Sequence, residues 1–197
     1  MDTEEHIEHL MGILDSIPLK KITILTGRNG SGKSVIRKSL NSRVVAKAGK
    51  IGITGNRLLA TYSMDDRAGI DPSRFMGFNR DCEWLPTGQN TLESLIGILK
   101  TKGRFIVIDE MEMGIGEELQ AGICESINEG FNVDDTLGLL VITHSRTIVR
   151  WLRHDVFINM EGMTEEQWLN REVVPVRPCD FIKDSEQLRN AIQDRQD

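Results

Sequence analysis

The sequence predicts an α/β protein built on a doubly wound, mainly parallel sheet, with helices on both faces and a small irregular or helical insert. Three observations predict this class. Short apolar segments of strand length alternate with amphipathic segments of helical period. A glycine-rich loop joins the first strand to a helix, as in the opening of a parallel α/β unit. Two strands, 105–108 and 139–142, are apolar throughout, which is typical of strands covered by helices on both faces.

The elements are assigned in chain order from their periodicity. Apolar residues spaced by three and four predict helices over 3–15, 33–40, 91–100, 117–127, 147–153, 164–170 and 185–193. Short apolar or alternating runs predict strands over 22–25, 44–46, 50–54, 105–108, 139–142 and 156–160. The segment 57–85 is rich in Asp, Arg, Gly and Met, and we interpret it as an irregular insert with short helices.

Length and composition restrict the class of protein further. The 197 residues carry 24 basic and 30 acidic side chains, a net charge of −6, and are enough for one domain with a real core. Three widely spaced cysteines, Cys82, Cys124 and Cys179, indicate reduced thiols. The acidic start does not resemble a targeting peptide, and no apolar stretch approaches the roughly 20 residues of a membrane span. We therefore expect a soluble, cytoplasmic protein without a membrane partner.

The loop after the first strand matches a phosphate-binding pattern at every required position. It consists of Gly27, Arg28, Asn29, Gly30, Ser31, Gly32, Lys33 and Ser34. Glycines let the backbone wrap an anion, and the helix that begins near Lys33 adds its positive dipole end. Lys33 would reach the β- and γ-phosphates, and the Ser34 hydroxyl would bind Mg²⁺. The alternative is a glycine turn that binds nothing.

Two carboxylates follow the apolar strand 105–108, where the ligand sites of open α/β sheets gather. Asp109 is predicted to hold Mg²⁺ opposite Ser34, directly or through water. Glu110 is predicted to act as the general base that orients and polarises the attacking water. Such a pair favours hydrolysis over transfer to a substrate hydroxyl. The alternative is that these acids simply end a strand at the surface.

The strand 139–142 ends in Thr143 and His144, which repeats this layout at the same end of the sheet. His144 could donate a hydrogen bond to the γ-phosphate and so sense whether it is present. The alternative is that His144 caps the following helix or lies in a surface turn.

Charge is divided between two segments of opposite sign. Residues 20–50 contain nine basic and no acidic side chains, whereas residues 105–135 contain nine acidic and no basic ones. The first segment carries the phosphate-binding loop and the second carries the acid pair. A magnesium nucleotide could therefore bridge the two segments.

Taken together, these motifs resemble the ATP-binding cassette class of P-loop NTPases, in the soluble branch that includes DNA-repair, phage and mobile-element ATPases. The resemblance spans Ile22 to about Arg150 and implies one ATPase domain over 1–197. Within it, about 57–100 would form the insert and signature region, and 161–197 a C-terminal extension. Leu85-Pro86-Thr87-Gly88-Gln89 is similar to the family's signature motif, with Pro86 in place of a serine and Thr87 as the substitute hydroxyl.

The resemblance implies a Mg²⁺-dependent ATPase that works as a nucleotide-switched homodimer and drives a protein partner. Glu110, Lys33 and His144 would be catalytic. Thr87, Gly88 and Gln89 of one subunit would close on the ATP held by the other. Glu112-Met113-Gly114-Ile115-Gly116 is similar to a segment that lies near the dimer interface in the family.

Two departures from the family pattern leave alternatives open. No glutamine occurs between Lys33 and Gln89, and no aromatic residue precedes the phosphate loop to stack on a base. One alternative is a nucleotide-binding regulatory module with little turnover, and another is a P-loop kinase. The helix 147–153 adds a possible nucleic-acid contact through Arg146, Arg150, Arg153 and His154. Its alternative is a solvated face with Trp151 buried.

Overall fold

The computed structural model describes residues 3–55, 58–63, 92 and 95–172. Its strands are β1 (Ile22–Thr26), β2 (Leu59–Ser63), β3 (Phe105–Asp109), β4 (Gly138–Ile142) and β5 (Val156–Asn159). Its helices are α1 (Thr3–Ser16), α2 (Lys33–Lys50), α3 (Glu117–Gly130), α4 (Arg146–Trp151) and α5 (Glu165–Asn170). Residues 95–99 are also helical, and Val133–Asp135 form a short 3₁₀ turn.

All pairings in the described sheet are parallel, and the strand order is β2-β3-β4-β1-β5. Side chains alternate between the two faces because successive strand residues point in opposite directions. On one face Ile24, Ile106 and Val141 pack with α3, α4 and Trp168. On the other face Leu25 and its neighbours pack with α1 and α2. The predicted α/β class, with a parallel sheet and helices on both faces, is confirmed.

Helix α2 is longer than its sequence pattern suggested. It runs from Lys33 to Lys50, so the strand predicted over 44–46 is wrong, and 51–55 forms a turn and coil where the strand 50–54 was expected. The physical reason is a four-residue repeat. Ile36, Leu40, Val44 and Ala48 are all buried and line one face of a single helix. The β-branched residues near Val44 favour a strand locally, but burial of the four-residue repeat stabilises the helix.

Strand β2 lies within the segment that we had interpreted as irregular from residue 57. Leu59–Ser63 pairs in parallel with β3, with Ser63 in register with Asp109. Its five residues include two threonine or serine side chains, and this weak apolar signal hid the strand. Most of the remaining insert, 57–100, lies outside the described residues; of those described, 92 and 95–99 are helical as predicted, and residue 100 is a turn.

The remaining helices and strands in the described ranges lie within three residues of their predicted ends. The predicted helix 185–193 lies outside the described residues. Trp168 is fully buried, as expected of a core residue. Cys124 is buried, and its burial raises the pKa of the thiol to about 12, so this thiol is inert at neutral pH. No helix within the described ranges is both long enough and apolar enough to cross a membrane.

Candidate nucleotide-binding site

Strand order brings the three predicted motifs to one end of the sheet. The strand that ends in the acid pair, β3, lies beside β4, and β4 lies beside β1, which leads into the glycine loop. Because all three strands are parallel, their carboxyl ends meet at the same end of the sheet. The loop, the carboxylates and His144 are therefore neighbours, although more than 100 residues separate the loop from His144 along the chain.

The glycine loop has a conformation that requires glycine at two of its positions. Gly30 and Gly32 have φ values of 78° and 98°, in the left-handed region. A Cβ atom on Gly32 would also lie 2.8 Å from a methyl group of Leu10, on α1. The hydroxyl oxygen of Ser31 is buried with no hydrogen-bond partner among the described residues. A buried, unsatisfied hydroxyl in such a loop fits a site for a polar ligand.

Lys33 is the first residue of α2, and its side chain folds back over the loop. Its Nζ donates hydrogen bonds to the carbonyl oxygens of Gly27, at 3.1 Å, and Arg28, at 2.7 Å. Burial lowers the pKa of Lys33 to about 8, although the nearby carboxylates of Glu161 and Glu110 oppose this shift. The side-chain amine of Lys33 is therefore mostly protonated at pH 7.

Glu161 is a neighbour of the loop that no sequence motif indicated. Its Oε1 accepts a hydrogen bond from the backbone N–H of Arg28 at 2.7 Å. The turn that carries it follows β5, whose last residue Asn159 donates a side-chain hydrogen bond to Thr26 Oγ1 at 3.1 Å. No local motif marks Glu161, because only the pairing of β5 with β1 brings it to the loop.

The two predicted acids lie in different environments. Asp109 forms an ion pair with Arg37 of α2, and the two atoms, Oδ2 and Nε, are 3.2 Å apart. Glu110 is 39% exposed at its side chain and has a φ of 55°. A left-handed backbone is costly for a residue with a Cβ atom, by about 1–2 kcal/mol, and such strain often accompanies function. The left-handed backbone of Glu110 turns the chain sharply at the end of β3, where the Glu110 side chain lies beside His144.

His144 lies beside Glu110, with 3.8 Å between His144 Nε2 and Glu110 Oε1. Burial, followed by the positive charges of Lys33 and Arg171, lowers the pKa of His144 to about 4. The imidazole is therefore neutral at pH 7 and can donate or accept a hydrogen bond without carrying charge. The alternative that His144 caps the next helix is wrong, because Ser145 is the N-cap and accepts from the N–H of Ile148.

A polar network holds the turn around His144 against the segment that follows the acid pair. Glu112 Oε1 accepts from the backbone N–H of His144 at 2.7 Å. The hydroxyl of Ser145 donates to Gln120 Oε1 at 2.6 Å, and Gln120 Nε2 donates to the carbonyl of Ile115 at 3.0 Å. Burial raises the pKa of Glu112. Glu112, which we had compared with an interface segment, thus fixes the backbone of His144 within this chain.

The neutral His144 predicts a specific pH dependence. Its proton should titrate near pH 4 in the folded protein and near 6.5 in the unfolded chain. Between these values the unfolded chain binds the proton and the folded protein does not, so the free energy of unfolding falls as the pH falls. The loss, when complete, is on the order of 3 kcal/mol.

Imidazole NMR titration measures the folded value directly. Denaturation at pH 7 and pH 4.5 should show a smaller pH-dependent loss of stability in His144→Asn than in the wild type. The comparison of variants is needed because the raised pKa of Glu112 acts with the opposite sign. A folded-state midpoint above pH 6 for His144 would contradict this prediction.

The residues present fit a nucleotide with its metal ion. The loop offers backbone N–H groups, the buried Ser31 hydroxyl and the ammonium group of Lys33 to an anion. Ser34 and Asp109 supply hydroxyl and carboxylate oxygens, the donor chemistry that Mg²⁺ prefers when phosphates complete its coordination. One carboxylate oxygen of Asp109 also forms an ion pair with Arg37, which no sequence motif predicted.

Thr87, Gly88 and Gln89 lie outside the described residues. The alternative for α4 was a solvated face with Trp151 buried. The burial of Trp151 is wrong, because this residue is 48% exposed. Arg146 donates a hydrogen bond to the carbonyl oxygen of Arg171, and the predicted nucleic-acid contact stays a prediction.

The sequence matches no protein-family model, and no curated protein matches it significantly. Among solved structures 23 chains match significantly. One of them is the crystal structure of the ADP conformation of MJ1267, an ATP-binding cassette of an ABC transporter. It shares 16% identity over 77% of this chain and 84% of that chain, with a TM-score of 0.49. This likeness assigns no activity to the present chain.

Proposed function

We propose that this protein binds ATP with Mg²⁺ and hydrolyses it, as an ATPase of the ATP-binding cassette type. One observation carries the proposal. Three adjacent parallel strands bring a glycine loop with its lysine, a pair of carboxylates and a neutral histidine to the same end of the sheet. These groups are a phosphate cradle, a metal ligand with a base, and an uncharged hydrogen-bonding group.

Binding begins at the loop. Lys33 would exchange its two carbonyl partners, Gly27 and Arg28, for the β- and γ-phosphate oxygens, while the N–H groups at the start of α2 face the phosphates. Ser34 and Asp109 would hold Mg²⁺, which draws negative charge from the phosphate oxygens. Glu161 would remain hydrogen-bonded to the backbone N–H of Arg28.

Hydrolysis would use the strand ends of β3 and β4. Glu110 would accept a proton from water as the water oxygen bonds to the γ-phosphorus and the bond to the bridging oxygen of ADP breaks. The neutral imidazole of His144, 3.8 Å from Glu110, would hydrogen-bond the γ-phosphate. A neutral histidine suits this position, because an imidazolium would pair with Glu110 and weaken it as a base.

The proposal extends to a dimer. Thr87, Gly88 and Gln89 of one subunit would close over the nucleotide bound to the loop of another, so that ATP joins two chains and hydrolysis releases them. This step depends on the family resemblance of Leu85–Gln89 and of the loop. A protein partner driven by the cycle, in DNA processing or in a phage or defence system, follows from the same resemblance alone.

An assay with γ-labelled ATP tests the proposed reaction. The purified protein should release labelled inorganic phosphate in the presence of Mg²⁺, and EDTA should stop this release. The measurement is made with and without DNA to detect stimulation. Bound nucleotide without phosphate release would indicate a regulatory module instead. Label on an acceptor other than water would indicate a kinase.

A further inference from the structure

The ion pair between Arg37 and Asp109 is the least expected feature of the site. Arg37 lies four residues after Lys33, so both residues project from the same face of α2. The side chains of Arg37 and Asp109 are only 9% and 13% exposed, and Nε and Oδ2 are 3.2 Å apart. The pair thus joins the helix that carries the phosphate loop to the strand that carries the acids.

Burial makes this pair energetically significant. A buried carboxylate is unstable unless a cation or hydrogen bonds compensate its charge, and the same holds for a buried guanidinium. The two opposite charges therefore stabilise each other. Other charged groups, including Lys33 and Glu110, lie around the same site.

The guanidinium of Arg37 should weaken the binding of a metal ion to the carboxylate of Asp109. A divalent cation that approaches Asp109 meets a fixed positive charge at close range, and like charges repel strongly where water is scarce. The triphosphate of a nucleotide supplies negative charge that offsets this repulsion. Metal binding should then be weak in the free protein and strong only together with nucleotide.

We propose that Arg37 is a positioning residue that orients Asp109 and serves as its built-in counterion, so that a divalent cation binds only with nucleotide. This inference rests on the proposed function in one respect, the role of Asp109 as a metal ligand. Arg37 would not touch the reacting atoms. Arg37 would determine the order of binding, because the cation would bind to the protein together with the nucleotide and not before it.

The test measures Mn²⁺ binding to the nucleotide-free protein, from the electron paramagnetic resonance signal of free Mn²⁺. Arg37→Gln should bind Mn²⁺ at least roughly tenfold more tightly than the wild type, because the repelling charge is gone. Arg37→Lys keeps the charge and should behave as the wild type. The double variant Arg37→Gln with Asp109→Asn should lose the gained affinity.

A matched control lies on the same helix. Arg43 pairs with Asp15 at 3.4 Å, away from the loop, and Arg43→Gln should leave Mn²⁺ affinity unchanged. Equal Mn²⁺ affinity in the wild type and Arg37→Gln would overturn the proposal. If Arg37→Gln fails to fold without metal, MgCl₂ should restore its folded circular dichroism spectrum, since the cation replaces the guanidinium. Failure of MgCl₂ to do so would likewise overturn it.

This experiment is independent of the ATPase assay. If Arg37→Gln gains no Mn²⁺ affinity while the wild type releases phosphate from ATP, the inference about Arg37 fails and the proposed function stands. If Arg37→Gln gains affinity while the wild type neither binds nor hydrolyses ATP, the proposed function fails and the counterion role stands.

Discussion

Replacing Glu110 with glutamine is expected to lower the rate of ATP hydrolysis by roughly 10²–10⁴-fold, the contribution typical of a general base. Glutamine keeps the size and most of the hydrogen bonding of the side chain but cannot accept the proton from water. The affinity for ATP should change little, because Lys33 and the loop remain. Phosphate release and nucleotide binding are measured on the same preparation.

The same variant tests the dimer. Glu110→Gln with ATP and Mg²⁺ should shift the chain from monomer to dimer in size-exclusion chromatography with light scattering. The reason is that the variant does not hydrolyse ATP, so the ATP-bound dimer does not dissociate. Glu125→Gln, an exposed glutamate on α3, is the matched control and should hydrolyse ATP at the wild-type rate. Wild-type hydrolysis by Glu110→Gln would show that another group is the base.

Removing the ammonium group of Lys33 is expected to weaken ATP binding by roughly 100-fold, since charge-assisted hydrogen bonds to phosphate each contribute about 1.5–3 kcal/mol. Lys33→Ala also removes the hydrogen bonds to the carbonyl oxygens of Gly27, which is buried, and Arg28, which is exposed, so the circular dichroism spectrum of the variant is compared with that of the wild type. Fluorescence of a labelled ATP analogue or calorimetry gives the affinity. Lys38→Ala, on the exposed side of α2, serves as the control.

The pKa of Lys33 adds a pH signature to this prediction. Burial lowers that pKa to about 8, so the lysine of the free protein loses its proton as the pH rises past 8. Phosphates bind the protonated form. The ATP affinity of the wild type should therefore fall above pH 8, by up to roughly tenfold per pH unit, whereas Lys33→Ala should show no such fall. A pH-independent wild-type affinity from pH 8 to 10 would contradict the assignment.

Much of the candidate site could be predicted because its signals are local. The loop 27–34 is a continuous motif whose glycines have a direct backbone reason. The acid pair and His144 each follow an uninterrupted apolar strand, and parallel strands bring such ends together. The positions of Gly30 and Gly32 show the same agreement, since each adopts a backbone that other residues disfavour.

Other features depended on contacts that no local pattern reports. The weakly apolar segment Leu59–Ser63 forms a strand because it pairs with β3. The segment near Val44 is helical because the four-residue repeat of α2 is buried, although its β-branched residues favour a strand. Glu161 reaches the loop only because β5 pairs with β1. The lowered pKa of His144 comes from burial and from Lys33, which is distant in sequence.

By itself, then, the sequence determined the α/β class, the glycine loop and the two polar strand ends, because glycine spacing and apolar runs act over a few residues. It also showed one basic and one acidic segment, but not which side chains meet. Only the tertiary structure decided that Arg37 pairs with Asp109 and that Glu112 holds the backbone of His144. Such pairs depend on how a helix packs against a strand, and burial then determines which charges must be compensated.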